Sequence, residues 1–279
     1  MVSMADAEQS LREGDVVNAL KALQQQVRAQ PADAKLRTFL FQLLAAMGQW
    51  ERALDQLNVA ATLDPSALAM AQMYREALRC ELLRADVFAG KRSPMVLGQP
   101  DEWLALLIES TLVAGRGQGQ GAALRERAFE AAPASTGTID GAAFAWIADA
   151  DMRLGPVLEA ILNGRYYWIP FNRLRRIDIE APEDLRDVVW MPAHFEFANG
   201  GESVGLIPTR YPGSELSDDG ALCLARKTLW QEVSAGVYQG LGQRVLATDA
   251  GEYPLMDVRK IELTEVAPAP DVAAGESGG

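Results

Sequence analysis

Residues 162–212 read LNGRYYWIPFNRLRRIDIEAPEDLRDVVWMPAHFEFANGGESVGLIPTRYP. Asn163-Gly164 separates two runs rich in apolar residues, VLEAIL at 157–162 and RYYWI at 165–169. Asn-Gly is the dipeptide that best tolerates positive φ at both centres of a type I′ turn, so the two runs are expected to form a β-hairpin. A second strand pair is expected from Val188-Val189-Trp190-Met191 and His194-Phe195-Glu196-Phe197, a turn at Asn199-Gly200-Gly201, and Val204-Gly205-Leu206-Ile207. Prolines at 170, 182, 192, 208 and 212 cut these runs short, which suits edge strands and bends rather than a long flat sheet. This back part reads as a small β-rich, barrel-like domain.

Working outward, the front part repeats itself. Gly14, Ala19, Leu20, Leu23 and Pro31 recur 34 residues later as Gly48, Ala53, Leu54, Leu57 and Pro65. That is the tetratricopeptide period of helix, turn and helix. Glycine permits the turn after the first helix, the small alanine lets two helices approach, and proline ends the second helix. Arg37 and Phe41 stand where the usual motif has Trp and Gly, so the repeats are degenerate. Residues 66–89 continue as a helix with apolar residues at helical spacing, residues 90–100 read as a connection, and Asp101 is placed to cap a further helix. Gly115 to Gly121 lacks a preceding strand, so it reads as a loop between packed helices rather than a dinucleotide-binding turn.

After APASTGTIDG (132–141), FAWI at 144–147 reads as a strand, residues 222–230 alternate weakly, 236–242 read as a glycine-rich loop, and 244–247 and 257–263 as the last strands. The fold class expected is therefore α+β in two domains. A tetratricopeptide-like helical domain spans 1–133, a β-rich domain 138–265, and a disordered Pro/Ala/Gly-rich tail 266–279.

The chain has 26 basic and 38 acidic residues, net −12, with the acidic excess in the back half. An acidic chain without a basic block argues against nucleic acid or anionic membrane as the main partner. Cys80 and Cys223 are the only cysteines and have no CxxC spacing, so free thiols in a reducing cytosol are expected. The N-terminus does not read as a signal peptide, and no run approaches the roughly 18 apolar residues needed to cross a bilayer. The expected location is cytoplasmic.

Candidate chemistry is sparse. The one histidine, His194, has no GxSxG elbow beside it and reads as a strand residue bonded locally. With one His and two distant Cys, a zinc site lacks ligands, and no cofactor is expected. Asp149 and Asp151 could hold a divalent cation for a metal-assisted hydrolase. The alternative is a turn whose carboxylates satisfy backbone N–H groups and pair with Arg153 or Arg165. Glu183-Asp184 reads as the first turn of a short helix. Arg173, Arg175 and Arg176 sit among aromatics as a stacking surface for single strands would, but the acids that follow favour internal salt bridges. The remaining candidate is the concave face of the helical repeats, where the inward positions would be Lys35, Thr38, Gln42, Gln72, Glu76 and Arg79. Such a face binds a peptide or helix, which supports an interaction protein over an enzyme, either an adaptor with one dominant partner or a stand-alone chaperone with many.

Taken in order, NGRYYWIPF (163–171), PEDLRDVVWMPA (182–193) and IPTRYPGSE (207–215) resemble the C-terminal domain of the ImpE family, the TagJ or SciE-type accessory proteins of bacterial type VI secretion. The similarity runs through most of residues 1–263. The resemblance implies a non-enzymatic adaptor that binds an N-terminal segment of the small contractile-sheath subunit, a TssB-like protein. It also implies a link, in some members, to the ClpV-type recycling ATPase. Here the first repeat starts almost at once, so an N-terminal extension for recruiting the ATPase is expected to be short or absent.

Overall fold

A computed structural model describes residues 4–117, 121–234 and 236–264. The proposed tail at 266–279 and the middle of the 115–121 loop lie outside the described residues. The front is helical: α1 (Met4–Arg12), α2 (Val16–Ala29), α3 (Ala34–Ala46), α4 (Trp50–Leu63) and α5 (Leu68–Phe88). A two-residue strand, β1 (Met95–Val96), then precedes α6 (Glu102–Gly115) and α7 (Gly121–Ala131). Asp15 and Asp33 start α2 and α3 by accepting backbone N–H bonds from Asn18 at 2.9 Å and Lys35 at 2.8 Å. Of the positions 34 residues apart, the glycines, the alanines and Leu23/Leu57 are placed alike, whereas Pro31 stands in a turn and Pro65 opens a 3-10 turn. Gly14 and Gly48 turn the chain at φ 82° and 66°, and Ala19, Ala53, Leu23 and Leu57 are fully buried between helices. Gly48 also lacks room for a side chain, because a Cβ there would lie 2.6 Å from Glu215 Cγ.

The back part comprises β2 (Gly137–Ile139), β3 (Ala142–Phe144), β4 (Ile147–Asp149), β5 (Val157–Leu162), β6 (Arg165–Pro170), β7 (Leu174–Ile179), β8 (Trp190–Phe197) and β9 (Glu202–Pro208). It continues through a short helix α8 (Gly220–Cys223), then β10 (Thr228–Ser234), β11 (Val237–Gly242), β12 (Val245–Thr248), β13 (Gly251–Pro254) and β14 (Lys260–Leu263). The expected hairpin is β5–β6, with Asn163 and Gly164 at φ 50° and 72°, the two positive values a type I′ turn requires.

The barrel-like expectation is corrected. Nine strands form an open sheet in the order β1-β6-β5-β9-β8-β7-β14-β2-β3, beside a three-stranded sheet β13-β12-β4 and the hairpin β10–β11. A barrel needs its two edge strands to pair in a continuous stagger. Here the edges are the stubs β1 and β3, which do not pair with each other, so the sheet stays open.

Four local readings also change. The two expected runs around Pro192 are one strand, β8, because the Pro192 carbonyl accepts from Glu180 N–H at 3.0 Å on the side where β7 ends. The missing proline N–H therefore faces a place where the ladder stops anyway. The glycine-rich stretch 236–242 is largely strand β11 rather than loop, paired residue by residue with β10. The 144–147 strand breaks into β3 and β4, and the 90–100 connection contains β1, parallel to β6.

Strand alternation sorts the core into two clusters. Val157, Ile161, Tyr166, Trp168, Trp190 and Leu206 face the helices and pack in one cluster with Leu23, Phe41, Leu57, Tyr74 and Leu104. Leu158, Ala160, Ile169, Met191, Phe195 and Ile207 face the other way and pack with Ile139, Leu246 and Ile261. Helices and sheet thus share one apolar seam, in which Trp190 lies 5.6 Å from the Tyr74 ring and 6.2 Å from Trp50.

Candidate functional site

The seam holds a chain of buried ions, of which the sequence reading singled out only Asp149. Glu159, in the middle of the fully buried strand β5, accepts from Arg84 Nε at 2.6 Å and Arg84 Nη2 at 2.9 Å. The Tyr166 hydroxyl and Arg244 Nη2 also donate to it. Arg244, itself completely buried, reaches Asp149 with its other terminal nitrogen and donates from Nε to the Pro208 carbonyl at 2.8 Å. On the helix side, Arg84 pairs with Glu81 at 3.5 Å, and Glu81 accepts the Trp190 indole N–H at 2.8 Å. Arg244 thus bridges the Pro208 end of β9 and Glu159 of β5.

Electrostatics follow from the partners. Burial alone would raise the Glu159 pKa, but Arg84 and Arg244 outweigh it and hold it at about 2. For Asp149, burial dominates the pull of Arg244, and its pKa rises to about 6. Burial would lower the Arg84 pKa, yet Glu159 and Glu81 raise it well above the usual value. This arrangement joins helices to sheet and leaves no open face for a reactant. Its signals in the sequence were a lone glutamate inside VLEAIL and the Asp149 carboxylate.

Asp149 and Asp151 do not form a metal pair. Asp149 is held by Arg244 and accepts the Tyr211 hydroxyl at 3.0 Å. Asp151 accepts from Arg153 Nε at 2.9 Å and from Gly240 N–H at 2.8 Å. Both are buried with their oxygens committed to arginine, tyrosine and backbone donors; of the two arginines expected, Arg153 pairs with Asp151, and Asp149 is paired instead by the distant Arg244. Among the described residues no cluster of three or more His, Cys, Asp or Glu side chains is placed to hold a metal.

The arginine cluster is absorbed internally. Arg173 pairs with Asp101 at 3.1 Å, Arg175 with Glu196 at 3.4 Å, and Arg176 with Asp178 at 2.7 Å. Asp101 therefore stands at the start of α6 but gives its carboxylate to Arg173 instead of to a helix N–H. His194 lies on β8 with Nε2 3.4 Å from Glu202. Glu183-Asp184 leads into a 3-10 turn at Leu185–Val188, where Asp187 accepts both their backbone N–H groups at 2.8 Å. Cys80 and Cys223 are free and buried.

The six predicted binding residues separate. Lys35, Thr38 and Gln42 line a cavity of about 540 Å³ between α1, α3 and the 183–185 segment, with Arg12, Phe39, Asp64 and Arg226. Gln72 and Glu76 line a different groove of about 790 Å³ between α5 and the β8–β9 strands. Arg79 lines neither and pairs with Glu76 at 2.7 Å. The separation has a cause: the Leu185–Val188 turn packs against α3 and divides the helical face.

The sheet-rich part also closes the open ends of the helices. Arg210 Nη1 donates to the Ala46 carbonyl at 2.5 Å, and Arg226 Nη1 to the Arg12 carbonyl at 2.9 Å. Two cations thus meet the carbonyl ends of α3 and α1, where the helix dipole favours them.

The family model described as "ImpE protein" matches residues 141–262. A helical front fused through a shared seam to this sheet is the framework in which that match sits, and the chain belongs to the ImpE family. It is 54% identical over 257 residues to the type VI secretion system accessory component TagJ of Pseudomonas aeruginosa strain PAO1, covering 92% of this chain and 90% of that protein. The crystal structure of protein VPA1032 from Vibrio parahaemolyticus superposes with a TM-score of 0.83 at 27% identity, covering 92% of this chain and 97% of that one. Among the described residues no helix is long and apolar enough to cross a membrane.

Proposed function

We propose that this protein is a non-enzymatic, cytoplasmic accessory component of type VI secretion. It is an adaptor that binds the N-terminal segment of the small, TssB-like sheath subunit; a link to the ClpV-type recycling ATPase, which the family resemblance implies for some members, is the second contact to test. The observation that carries the reading is the 54% identity to a TagJ protein along nine-tenths of both chains. The charged residues of the seam are committed to one another and join the helices to the sheet. We assign the sheath segment to the α3 groove, in a tetratricopeptide-like front half, with Lys35, Thr38 and Gln42 along its wall. A short helix laid there would meet Phe39 and Leu11 with its apolar side and Lys35 or Arg226 with its carboxylates.

The test is co-purification with the sheath subunit of the same genome, full-length and N-terminally truncated. Capture should be lost on truncation and weakened by Lys35→Glu, while Arg79→Glu, outside the groove, leaves it unchanged. Capture that survives truncation would reject the assigned segment, and no capture at all would reject the adaptor. A separate pull-down with the ATPase, with and without the sheath subunit, tests the second contact.

A further inference from the structure

The groove between α5 and the β8–β9 strands is distinct from the α3 groove. Strand β9 is interior to the nine-stranded sheet, with β5 on one side and β8 on the other. Its Leu206 lies under the helices and is 1% exposed. Two residues earlier on the same face, Val204 is 71% exposed, because the helix layer ends before the β8–β9 turn. Across the groove, Met73 of α5 is 43% exposed, and Pro192, Ala69 and Leu206 complete an apolar floor.

The rim is acidic. Glu180 is exposed and its carboxylate has no cationic partner among the described residues. Glu76 stands on the α5 side, paired with Arg79 at 2.7 Å, and His194 on the sheet side lies 3.4 Å from Glu202, which is next to the groove and not in its wall. Arg186, the one arginine lining the groove, is turned inward. Its guanidinium lies 5.1 Å over the Tyr74 ring, with Asp184 and Asp187 as its ion-pair partners, so it offers no free charge to the opening. An apolar floor under a negative rim fits a helix with an apolar stripe flanked by lysine or arginine. A second copy of this chain fits poorly, since each carries a net charge of −12.

We propose that this groove is a second docking site, which takes a basic amphipathic helix from a protein partner. The apolar stripe lies over Met73 and Val204, and its cations face Glu180 first and then Glu76, where they compete with Arg79. The site stands whether or not the sheath segment occupies the α3 groove.

The probe is a fluorescein-labelled model helix of about 18 residues, about five turns, built from leucine on one stripe and lysine elsewhere. A leucine–glutamate helix of the same pattern is the control. Binding to the full chain is read by fluorescence anisotropy. The lysine helix should bind and the glutamate helix should not. Val204→Lys and Glu180→Lys should each weaken binding by about ten-fold or more. Glu8→Lys adds the same charge change in the α3 groove and should leave affinity within about two-fold. Circular dichroism and the thermal midpoint check that the variants fold. As Val204 and Glu180 are exposed, both changes are expected to fold, and a Val204→Ser variant gives the apolar test without added charge. Absence of binding to the wild-type chain would overturn the proposal. So would equal binding of the glutamate helix, equal weakening by Glu8→Lys, or full affinity in Val204→Lys. Sheath capture repeated with Val204→Lys should be unchanged, so the two grooves fail or succeed separately.

Discussion

Replacing Glu159 with glutamine should be among the most destabilising single changes available in this chain. The side chain is wholly buried and receives donors from Arg84, Tyr166 and Arg244. Glutamine keeps the shape but removes the charge, leaving Arg84 and Arg244 as neighbouring buried cations with one fewer anion between them. Each lost contact at about 4 Å is worth on the order of 4 kcal/mol at an effective dielectric near 20. Arg84 retains Glu81 and Arg244 retains Asp149, so part of that is recovered, and breaking a buried pair typically costs about 3–5 kcal/mol. Against a total stability on the order of 5–15 kcal/mol, this is a large fraction. Urea unfolding followed by tryptophan fluorescence is a suitable assay, since Trp168 and Trp190 are buried in the same seam. The midpoint should fall with the slope unchanged. Combining Glu159→Gln with Arg84→Met should cost clearly less than the sum of the two single changes, because the double variant no longer strands one of the cations. A Glu159→Gln protein within about 1 kcal/mol of the wild type, or strict additivity in the cycle, would show that the charges do not hold the seam.

The two seam acids should give opposite pH dependences. Glu159 titrates near 2 in the folded chain, below its ordinary value of 4.5, so its contribution is present above about pH 4.5 and lost as pH falls toward 2. Asp149 titrates near 6 instead of 3.8, so the folded state holds the proton more tightly and stability falls as pH rises from about 4 to 6; Asp149→Asn should remove that decline from a plot of thermal midpoint against pH. Gly48→Ala should cost about 1–3 kcal/mol in urea unfolding, since φ is positive and the new methyl would press on Glu215. A cost near zero would mean that the loop carrying Glu215 moves away freely. Burial raises the thiol pKa of Cys80 to about 12 and also raises that of Cys223, so neither should react with a thiol reagent in the native protein, and both should react in urea.

Local features of this fold were legible because their causes are local. Asn163-Gly164 specifies its turn through the backbone conformations those two residues accept. The 34-residue recurrence of glycine and alanine marks where helices turn and touch. Pro192 misled for the complementary reason: whether a proline can stay in a strand depends on what lies on its N–H side, and that is the end of β7. The 236–242 segment looked like loop because glycine is a poor strand former. Gly240 is instead required, since a Cβ would lie 2.2 Å from the Tyr211 ring.

The candidate site divides along the same line. Helical spacing on α3 and α5 selected Lys35, Thr38, Gln42, Gln72, Glu76 and Arg79 as one inward set. The Leu185–Val188 turn then splits that set between two grooves, and no helical periodicity contains that turn. The seam ions are more remote still, with Arg84 75 residues and Arg244 85 residues from Glu159 along the chain. Backbone preference and side-chain period are properties of a few neighbouring residues, so the helix turns, the hairpin and the acidic balance could be read directly. Pairing of buried charges, division of a surface and closure of a sheet depend on which distant segments meet. Those were decided by packing, where an unpartnered ion costs more than any local preference can offset.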